Sequence, residues 1–478
     1  MRHAKKVCTI GPASRSLEVL RAMISAGMDI ARINMAHGSP DDHERSIELV
    51  REASKVEGKD VTILVDLAGP TLRIGDFAGD RVVLKEGDSF TITTREIVGD
   101  DKIVSINYPN LPQEVSPGNS ILINEGLIVL KVEEVDCEDV RCRVIAGGQL
   151  YSRRGVNLPG VPLSISPITE KEKVDVPFGV KRGVDWFGLS FVRRASDIDE
   201  LRGIIRDLGG SQRIIAKIEK REAVENLEEI VATADGLMVA RGDLGVELPT
   251  EDVPLVQKKI ILKARTAAKP VITATQMLES MIQNPRPTRA EVSDVANAIL
   301  DGTDAVMLSG ETAIGKYPVE TIKVMSRIIA RAEEEIEYGD RLPMPEEPTT
   351  SEAIGAAATE LADLLGAKAI VTSTESGAPA RQVSTHRPNA PIIAAASDPM
   401  VLRQTRLSWG VIPVKVRKSG DVDEMFDIAA RAAVDSGIAG AGDRIVITAG
   451  VRVNVPGTTN LIKVERLGES SSDPKPKQ

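Results

Sequence analysis

Eight short apolar runs, alternating with helical patterns, constrain the fold of this chain more than any other feature. The runs are rich in Val and Ile and comprise Val7–Ile10, Asp29–Met35, Val61–Leu67, Val184–Phe191, Arg213–Glu219, Gly236–Arg241, Pro270–Thr275 and Asp304–Leu308. Most of them alternate little between apolar and polar residues, which is typical of strands buried on both faces of a parallel sheet. The helical patterns between them include Leu17–Ala26, Ala195–Leu208, Ala223–Ala232 and Leu255–Ala267. This alternation predicts an α/β fold of the (β/α)8 TIM-barrel type, and the count of eight disfavours the alternative, an open doubly wound sheet.

The segment between the third and fourth runs has a different pattern. Residues 70–156 contain short alternating runs, such as Arg81–Leu84 and Ile128–Val135, separated by turn sequences. They predict a small β-barrel domain inserted into a barrel loop, and a hinged lid is one natural use of such an insert. The predicted catalytic barrel then comprises residues 1–69 and 157–338.

The C-terminal part of the chain predicts a further domain. Residues 339–350 are rich in Pro and Glu and indicate a linker. Residues 351–467 indicate a second α/β unit, of regulatory type, whose predicted strands are Ala369–Thr374, Pro391–Ala395, Val411–Val416, Arg444–Thr448 and Leu461–Val464. The polar tail, residues 468–478, is expected to be disordered.

Composition and charge exclude several functional classes. A net charge of −10 without a basic run, and only 3% aromatic residues, argue against a nucleic-acid partner. No window offers about 20 uninterrupted apolar residues, so we expect no membrane-spanning helix and no membrane partner. The three cysteines are too few for a disulfide framework, and the first residues lack an apolar signal core. We therefore expect a cytoplasmic protein.

Polar residues end seven of the eight runs, where the active site of a barrel of this type lies. These residues are Arg32, Asn34, Asp66, Ser190, Lys217, Glu219, Arg241, Asp243, Thr275, Ser309 and Glu311. Residues two apart on a strand share a face, so Lys217 and Glu219 are expected to point the same way. The strand ends therefore predict a charged ring that suits a phosphorylated substrate.

Two carboxylates in this ring predict a metal site. Glu219 and Asp243 follow neighbouring strands, and two carboxylates with open coordination positions suit Mg²⁺. Lys217 and Arg32 supply cations that could neutralise a phosphoryl group in transit. Gly242 has no side chain, so backbone N–H groups beside it could approach a carboxylate ligand. A structural ion pair is the alternative for any one of these residues, but polar groups at so many strand ends favour a site.

Long ordered segments of the chain also resemble the pyruvate kinase family. They are Val7–Ser14, Ala31–Gly38, Arg154–Gly160, Lys217–Glu219, Met238–Glu247, Ile272–Met281, Asn284–Glu291, Ser293–Ala298 and Met307–Thr312. These segments span nearly the whole chain, and the family's plan of barrel, inserted lid and C-terminal domain agrees with the predicted one. The resemblance implies Mg²⁺-dependent transfer of the phosphoryl group of phosphoenolpyruvate to ADP, giving pyruvate and ATP, which is the last step of glycolysis. It also implies a homotetramer.

The resemblance assigns roles to matching residues. Arg32 and Lys217 would hold the phosphoryl group, and Glu219 with Asp243 would bind Mg²⁺, for which Mn²⁺ or Co²⁺ can substitute. The N–H groups of Gly242 and Asp243, with the hydroxyl of Thr275, would hold the substrate carboxylate. Thr275 and Ser309 would lie near the relay that protonates the enolate. The residues on the nucleotide side would be Asn34, His37, Arg73 and Arg154.

The chain departs from the family at the monovalent-cation site. Many relatives bind K⁺ through an Asn, a Ser, an Asp and a Thr. Asn34 and Asp66 remain of this set, but Ala36 and Leu67 stand at the other two positions. A leucine side chain cannot ligate a cation. Thr71 replaces a Glu that K⁺-dependent relatives carry, so we expect K⁺ not to be required.

The C-terminal domain departs at the effector site as well. Relatives activated by fructose 1,6-bisphosphate carry a Lys at the position of Glu375 and a Ser at that of Pro379. A carboxylate opposes a sugar phosphate, so we expect no activation by that compound. Another phosphometabolite remains a candidate effector, and its candidate ligands are Thr374, Ser376, Arg381 and Arg452.

Two rival functions share part of these features. A Mg²⁺-dependent barrel lyase or mutase acting on small 2-oxo acids would use Glu219 and Asp243, but it would not need Arg73, the insert or the C-terminal domain. A catalytically silent, effector-binding paralogue would not need Lys217 or Thr275. The complete set of residues therefore favours the kinase.

Overall fold

The computed structural model describes residues 3–336, 342–451, 455 and 457–468. Part of the predicted linker, the predicted disordered tail after Gly468, and Arg452 lie outside the described residues.

Eight parallel strands form a closed barrel, which confirms the predicted fold class. Its strands are Lys5–Thr9, Ile30–Asn34, Thr62–Asp66, Trp186–Leu189, Arg213–Ile218, Gly236–Ala240, Val271–Ala274 and Ala305–Leu308. Each strand pairs with the next barrel strand along the chain, and Lys5–Thr9 also pairs with Ala305–Leu308. This last pairing closes the barrel and excludes the open sheet.

The barrel strands are buried on both faces, which explains their weak alternation. Inward side chains such as Ile30, Leu64, Trp186 and Met238 fill the interior. Outward side chains pack against helices, which are Leu17–Ser25, Pro40–Glu57, Glu172–Lys181, Ala195–Asp207, Arg221–Glu225, Leu227–Thr233, Arg241–Glu247, Val253–Thr266, Arg289–Leu300, Gly310–Ala313 and Pro318–Glu333.

Local sequence sets several helix boundaries. Ser16, Ser39 and Thr288 are N-caps whose side chains accept a hydrogen bond from the first turn. The single helical pattern predicted over Ala223–Ala232 is in fact two helices, because the backbone at Asn226 leaves the helical conformation.

The insert is a curled β-sheet domain with its own apolar core. Its six-stranded sheet has the order Val156–Asn157, Ser120–Ile123, Ile128–Val135, Asp139–Ala146, Ser89–Thr93 and Ile103–Ser105. Gly148–Tyr151 and Arg81–Leu84 form a separate two-stranded ribbon, and Leu111–Glu114 is a short helix. The sequence did not indicate the short strands Ile103–Ser105, Gly148–Tyr151 and Val156–Asn157, because two to four residues carry too little periodicity.

The C-terminal domain is a mixed sheet with helices. Its strands have the order Val411–Lys415, Ile392–Ala396, Ala369–Ser373, Arg444–Gly450 and Thr459–Arg466, and only the last pairs antiparallel. Its helices are Thr350–Leu365, Ala378–Thr385, Pro399–Thr405 and Val422–Asp435. No helix in the described ranges combines the length and apolar character that a bilayer crossing requires.

This domain packs against the N-terminal ends of the barrel strands. The Lys5 ammonium donates to the Val411 carbonyl at 2.8 Å. Arg403 Nε lies 2.6 Å from Asp185 Oδ1, immediately before a barrel strand. The C-terminal domain therefore lies at the end of the barrel opposite to the predicted active-site ring.

Candidate active site at the C-terminal ends of the strands

One buried carboxylate connects the two predicted phosphoryl-binding cations. Arg32 contacts Asp66 Oδ2 through Nη2 at 2.5 Å and Nε at 2.7 Å. The Lys217 ammonium lies 3.6 Å from Asp66 Oδ1. Strand pairing explains the contact between Arg32 and Asp66. Their strands are adjacent, and Asn34 and Asp66 are register partners at the ends of these strands. Asp66 therefore sets the separation of Arg32 and Lys217.

The protonation states of this cluster follow from its mutual charges. Burial would raise the pKa of Asp66, but Lys217 and Arg32 outweigh burial and lower it below its usual value. Burial would lower the pKa of Lys217, but Asp66, Glu219 and Asp243 outweigh it and raise that pKa above its usual value. Both groups are therefore charged at neutral pH.

Glu219 and Asp243 differ in their surroundings. Glu219 is buried, and its Oε1 accepts from the Phe191 N–H at 2.7 Å. Its Oε2 lies 3.2 Å from the Lys217 ammonium but, among the described residues, accepts no hydrogen bond. Burial raises the pKa of Glu219; Lys217 opposes this effect and Asp243 adds to it. Asp243 is exposed, in the first turn of Arg241–Glu247.

These two carboxylates fit a hydrated divalent cation. Among the residues that the structure describes, the buried Oε2 of Glu219 has no hydrogen-bond partner, and the exposed carboxylate of Asp243 leaves room for other ligands. Within the part of the chain that the structure describes, no cluster of three His, Cys, Asp or Glu residues could enclose a metal. Mg²⁺ commonly binds through one or two carboxylates and keeps water or substrate oxygens as its other ligands. The donor set therefore suits Mg²⁺.

Thr275 is held in a strained conformation beside Gly242. Its φ is 67°, and that of Gln276 is 54°, a region that residues with a Cβ rarely adopt. The Thr275 hydroxyl accepts from the Gly242 N–H at 2.9 Å and donates to the Ala274 carbonyl at 2.7 Å. Two of the predicted carboxylate-binding groups are therefore in direct contact.

Arg241 stabilises this turn. It donates to the carbonyls of Ala274 at 3.2 Å and Thr275 at 2.6 Å. Asp294 pairs with the same guanidinium at 2.7 Å. The sequence shows Arg241 at a strand end but does not indicate its role, because its partners lie at the end of the following strand.

Ser190 and Glu311 are further site residues whose function the sequence did not indicate. Ser190 accepts from the Lys217 ammonium at 2.7 Å. Glu311 is buried and accepts from the N–H groups of Ser309 at 2.7 Å and Leu278 at 3.1 Å. Burial raises the pKa of Glu311. In the sequence both residues are only polar groups at strand ends, and their position beside functional side chains is a tertiary property.

The four residues predicted on the nucleotide side lie in two places. Asn34 and His37 lie on the barrel rim, where Asn34 Oδ1 accepts from the Ala36 N–H at 3.1 Å and His37 is exposed. Arg73 and Arg154 lie on the insert, and both are exposed. A β-bridge between Arg73 and Gly155 brings these two arginines onto adjacent backbone segments.

The predicted effector residues are arranged around a tight turn. Thr374 Oγ1 accepts from the Gly377 N–H at 2.8 Å and the Ser376 N–H at 3.3 Å. Arg381 donates to the Ser376 carbonyl at 3.4 Å, and Arg213 of the barrel donates to the same oxygen at 2.6 Å. Arg381 therefore lies at the contact between the C-terminal domain and the barrel.

Comparison with known proteins gives consistent matches. The family model "Pyruvate kinase, barrel domain" matches residues 1–322, and "Pyruvate kinase, alpha/beta domain" matches residues 352–465. A pyruvate kinase of Geobacillus stearothermophilus is 48% identical over 474 residues, which are 98% of this chain and 81% of that protein. Pyruvate kinase 2 of a Synechocystis species is 49% identical over 471 residues, 97% of this chain and 79% of that protein. The crystal structure of a pyruvate kinase from Cryptosporidium parvum has a TM-score of 0.92 at 38% identity, covering 97% of this chain and 96% of that one.

Proposed function

This chain belongs to the pyruvate kinase family of phosphotransferases, and we propose that it transfers the phosphoryl group of phosphoenolpyruvate to ADP with Mg²⁺ and without a requirement for K⁺. The observation that carries the proposal is the Arg32–Asp66–Lys217 cluster, in which one buried carboxylate holds two cations beside Glu219. Catalysis of phosphoryl transfer depends mainly on positioning and on neutralising charge. The cluster supplies both.

The cations act on the transferred group. Arg32 and Lys217 bind oxygens of the phosphoryl group, and Lys217, whose pKa is raised chiefly by Asp66 and Glu219 against the effect of burial, keeps its charge during transfer. Glu219 and Asp243 would hold Mg²⁺, with Mn²⁺ or Co²⁺ as substitutes. When bound, the metal supplies positive charge to the substrate oxygens.

The substrate carboxylate is bound by groups on two adjacent strand ends. The N–H groups of Gly242 and Asp243 lie in the first turn of a helix and have no partner within that helix; the Gly242 N–H donates to the Thr275 hydroxyl oxygen. The Thr275 hydroxyl oxygen lies 2.9 Å from Gly242 N, so a substrate carboxylate would replace Thr275 Oγ1 as the acceptor of the Gly242 N–H and the Ala274 carbonyl as the acceptor of the Thr275 hydroxyl. Thr275 and Ser309 assist the relay that protonates the enolate.

The nucleotide lies between the barrel rim and the insert. Asn34, His37, Arg73 and Arg154 contact ADP, the two arginines from the insert. We propose the domain limits given by the sequence: a barrel of residues 1–69 and 157–338, a lid of residues 70–156, a linker of residues 339–350 and a regulatory domain of residues 351–467.

The independence from K⁺ follows from the charge balance around Asp66. Asp66 faces Arg32 on one oxygen and Lys217 on the other, so its charge is already matched by two cations. The Leu67 side chain is buried and offers no ligand, and Ala36 offers none either. Asn34 and Asp66 alone are too few ligands for a K⁺ site.

Regulation and assembly complete the proposal. Glu375, in the Thr374–Ser376 turn, carries a negative charge that repels the phosphates of fructose 1,6-bisphosphate. Another phosphometabolite, bound with the help of Arg381 and Arg452, is therefore the effector. The protein is a cytoplasmic homotetramer, as is common in its family.

Pyruvate formation is the direct test. The full chain is assayed with phosphoenolpyruvate, ADP and Mg²⁺ in a K⁺-free buffer, and again with K⁺ added. Turnover that requires ADP and is unchanged by K⁺ is the expected result. Consumption of phosphoenolpyruvate without ADP would favour a lyase or mutase, and activity only with K⁺ would refute the altered cation site.

A further inference from the structure

A buried ion pair joins the segments that carry the two proposed metal ligands. The Lys220 ammonium contacts Glu247 Oε1 at 2.5 Å. Lys220 directly follows Glu219 in the sequence, and Glu247 is the last residue of the helix Arg241–Glu247, whose first turn contains Asp243. The pair therefore connects the chain segment of one metal ligand to that of the other.

The surroundings of the pair exclude most water. The side chain of Lys220 is 9% exposed and that of Glu247 is 2% exposed. Charges attract each other more strongly in such surroundings than in water, so the contact is directional. A buried pair adds little net stability compared with an apolar pair, because both charges lose their water, so stability alone does not explain it. The two side chains share a small cleft with apolar residues on either side of the insert, which are Pro70, Leu158, Val161, Leu163 and Ile165.

The Lys220 ammonium also lies against an aromatic ring. It is 4.9 Å from the centroid of the Phe191 ring, which is within the range of a cation–π interaction. The ring is also close to the backbone of Gly69, where a Cβ would lie only 2.9 Å from Phe191 Cδ2. Lys220 and Gly69 therefore both restrict the position of this ring.

Phe191 in turn orients the buried metal ligand. Its φ is 58°, in the left-handed region that a residue with a Cβ rarely adopts. Such a conformation persists only where the surrounding contacts hold it. The Phe191 N–H donates to Glu219 Oε1 at 2.7 Å, and Oε2 is the oxygen that has no hydrogen-bond partner among the described residues. Phe191 therefore determines which oxygen of Glu219 remains for the metal.

We propose that Lys220 and Glu247 are positioning residues that fix the separation and orientation of Glu219 and Asp243, and thereby set the affinity for the divalent cation. The ion pair holds the helix of Asp243 against the strand end of Glu219, and the ring contact supports the strained Phe191. Residues that orient metal ligands commonly change metal affinity by about 10- to 100-fold. The inference rests on the Mg²⁺ site of the proposed function.

Titration of the full chain with Mn²⁺ tests this role without catalysis. Free Mn²⁺ is measured by electron paramagnetic resonance in the absence of phosphoenolpyruvate and ADP. In Lys220→Met the affinity for Mn²⁺ should fall by about 10-fold or more, because the contacts to Glu247 and Phe191 are both lost. Lys220→Arg should retain the affinity, because a guanidinium can pair with Glu247 and stack on Phe191.

The double variant Lys220→Met/Glu247→Met separates positioning from stability. Lys220→Met alone leaves Glu247 buried without its partner, so this variant should melt at a lower temperature. Two apolar side chains of similar size often replace a buried ion pair without loss of stability, so the double variant should melt near the temperature of the unchanged protein. Its affinity for Mn²⁺ should still be as low as that of Lys220→Met, because the directional contacts remain absent.

Two control variants complete the experiment. Lys258 pairs with the largely buried Asp301 side chain, and neither residue belongs to the proposed metal site. Lys258→Met should therefore bind Mn²⁺ as the unchanged protein does. Asp243→Asn removes a proposed ligand and should weaken Mn²⁺ binding at least as much as Lys220→Met, which identifies the site that the titration reports.

The outcomes separate this inference from the proposed function. Unchanged Mn²⁺ affinity in Lys220→Met or in the double variant overturns the positioning role, and so does a loss of affinity confined to variants that melt at a lower temperature. Unchanged affinity in Asp243→Asn instead overturns the metal site on which the inference rests. None of these titrations depends on pyruvate formation, which the activity assay tests separately.

Discussion

The Lys217 ammonium donates to the hydroxyl oxygen of Ser190 at 2.7 Å, and that hydroxyl donates to the Leu67 carbonyl at 2.6 Å. This chain connects the strand that carries Lys217 to the residue after Asp66, across the intervening strand end. Lys217 is thus oriented by a neutral hydroxyl as well as by the carboxylates of Asp66 and Glu219. The hydroxyl fixes its position without reducing its charge.

Replacing Lys217 separates catalysis from structure. Lys217→Met should lower turnover by at least ~100-fold, because a preorganised charge that stabilises the transition state is lost. The fold should remain intact, because Arg32 still pairs with Asp66. Steady-state kinetics and circular dichroism check both statements. A variant that unfolds, but whose folded fraction has full specific activity, would show that Lys217 is structural.

Ser190→Ala is the milder version of this change. It removes the hydroxyl that orients the ammonium but keeps the charge, so turnover should fall by about 10-fold, in keeping with one hydrogen bond to a charged group. KM for phosphoenolpyruvate should change more than KM for ADP. A loss as large as that of Lys217→Met would mean that Ser190 takes part directly in the reaction.

Arg241→Lys tests the support of the Thr275 turn. Lysine cannot bond both the Ala274 and Thr275 carbonyls and also reach Asp294, so the strained turn should relax and move the Thr275 hydroxyl away from Gly242. We expect KM for phosphoenolpyruvate to rise by about 10-fold and KM for ADP to stay the same. Thr275→Ser, which keeps the hydroxyl, is the control and should behave nearly as the unchanged protein. Equal changes in both KM values would indicate general damage to the fold.

Thr71→Glu tests the K⁺ proposal in the reverse direction. Thr71 is exposed on the segment that leads into the insert, so a carboxylate is tolerated there. The added negative charge should lower activity in K⁺-free buffer, and K⁺ should restore part of it. Thr71→Gln, of the same size but uncharged, is the matched control and should stay indifferent to K⁺. If K⁺ changes the activity of the Glu and Gln variants to the same extent, the charge at this position does not determine whether the enzyme requires K⁺.

The buried His3 side chain should lower the free energy of unfolding of the protein in acid. Burial, followed by nearby positive charges such as Lys5, lowers the pKa of His3 to about 3, from the usual 6.5. Between these values the unfolded chain binds a proton that the folded chain does not, so the free energy of unfolding falls as pH falls through this window.

The measurement compares the unchanged protein with His3→Phe. The aromatic replacement keeps a ring against Trp409, which the His3 ring meets edge-on at 4.2 Å between centroids. From about pH 7 to about pH 5 the unchanged protein should lose up to ~2 kcal/mol more stability than the variant, since each unit below the unfolded pKa is worth about 1.4 kcal/mol. Parallel pH profiles in urea unfolding would show that the pKa of His3 is the same in the folded and the unfolded protein.

The sequence by itself determined the barrel and the chemistry of its rim. Runs such as Val61–Leu67 carry no alternation because both of their faces are buried, and this property belongs to each run separately. The order of strands and helices then leaves few topologies. The type of residue at each strand end, such as Lys217 and Glu219 two positions apart, also indicated metal and phosphoryl chemistry, because these side chains emerge at the same edge of any parallel barrel.

Only the tertiary structure decided which of these groups meet. Asp66 bridges Arg32 and Lys217 from different strands, and Arg241 supports the turn of the following strand, because barrel closure fixes distances that no local pattern contains. The packing of the helix Arg241–Glu247 likewise brings Glu247 into contact with Lys220, which follows the preceding strand. Local periodicity reports which face of an element is buried, whereas the partner that covers that face is chosen by the packing of the whole chain.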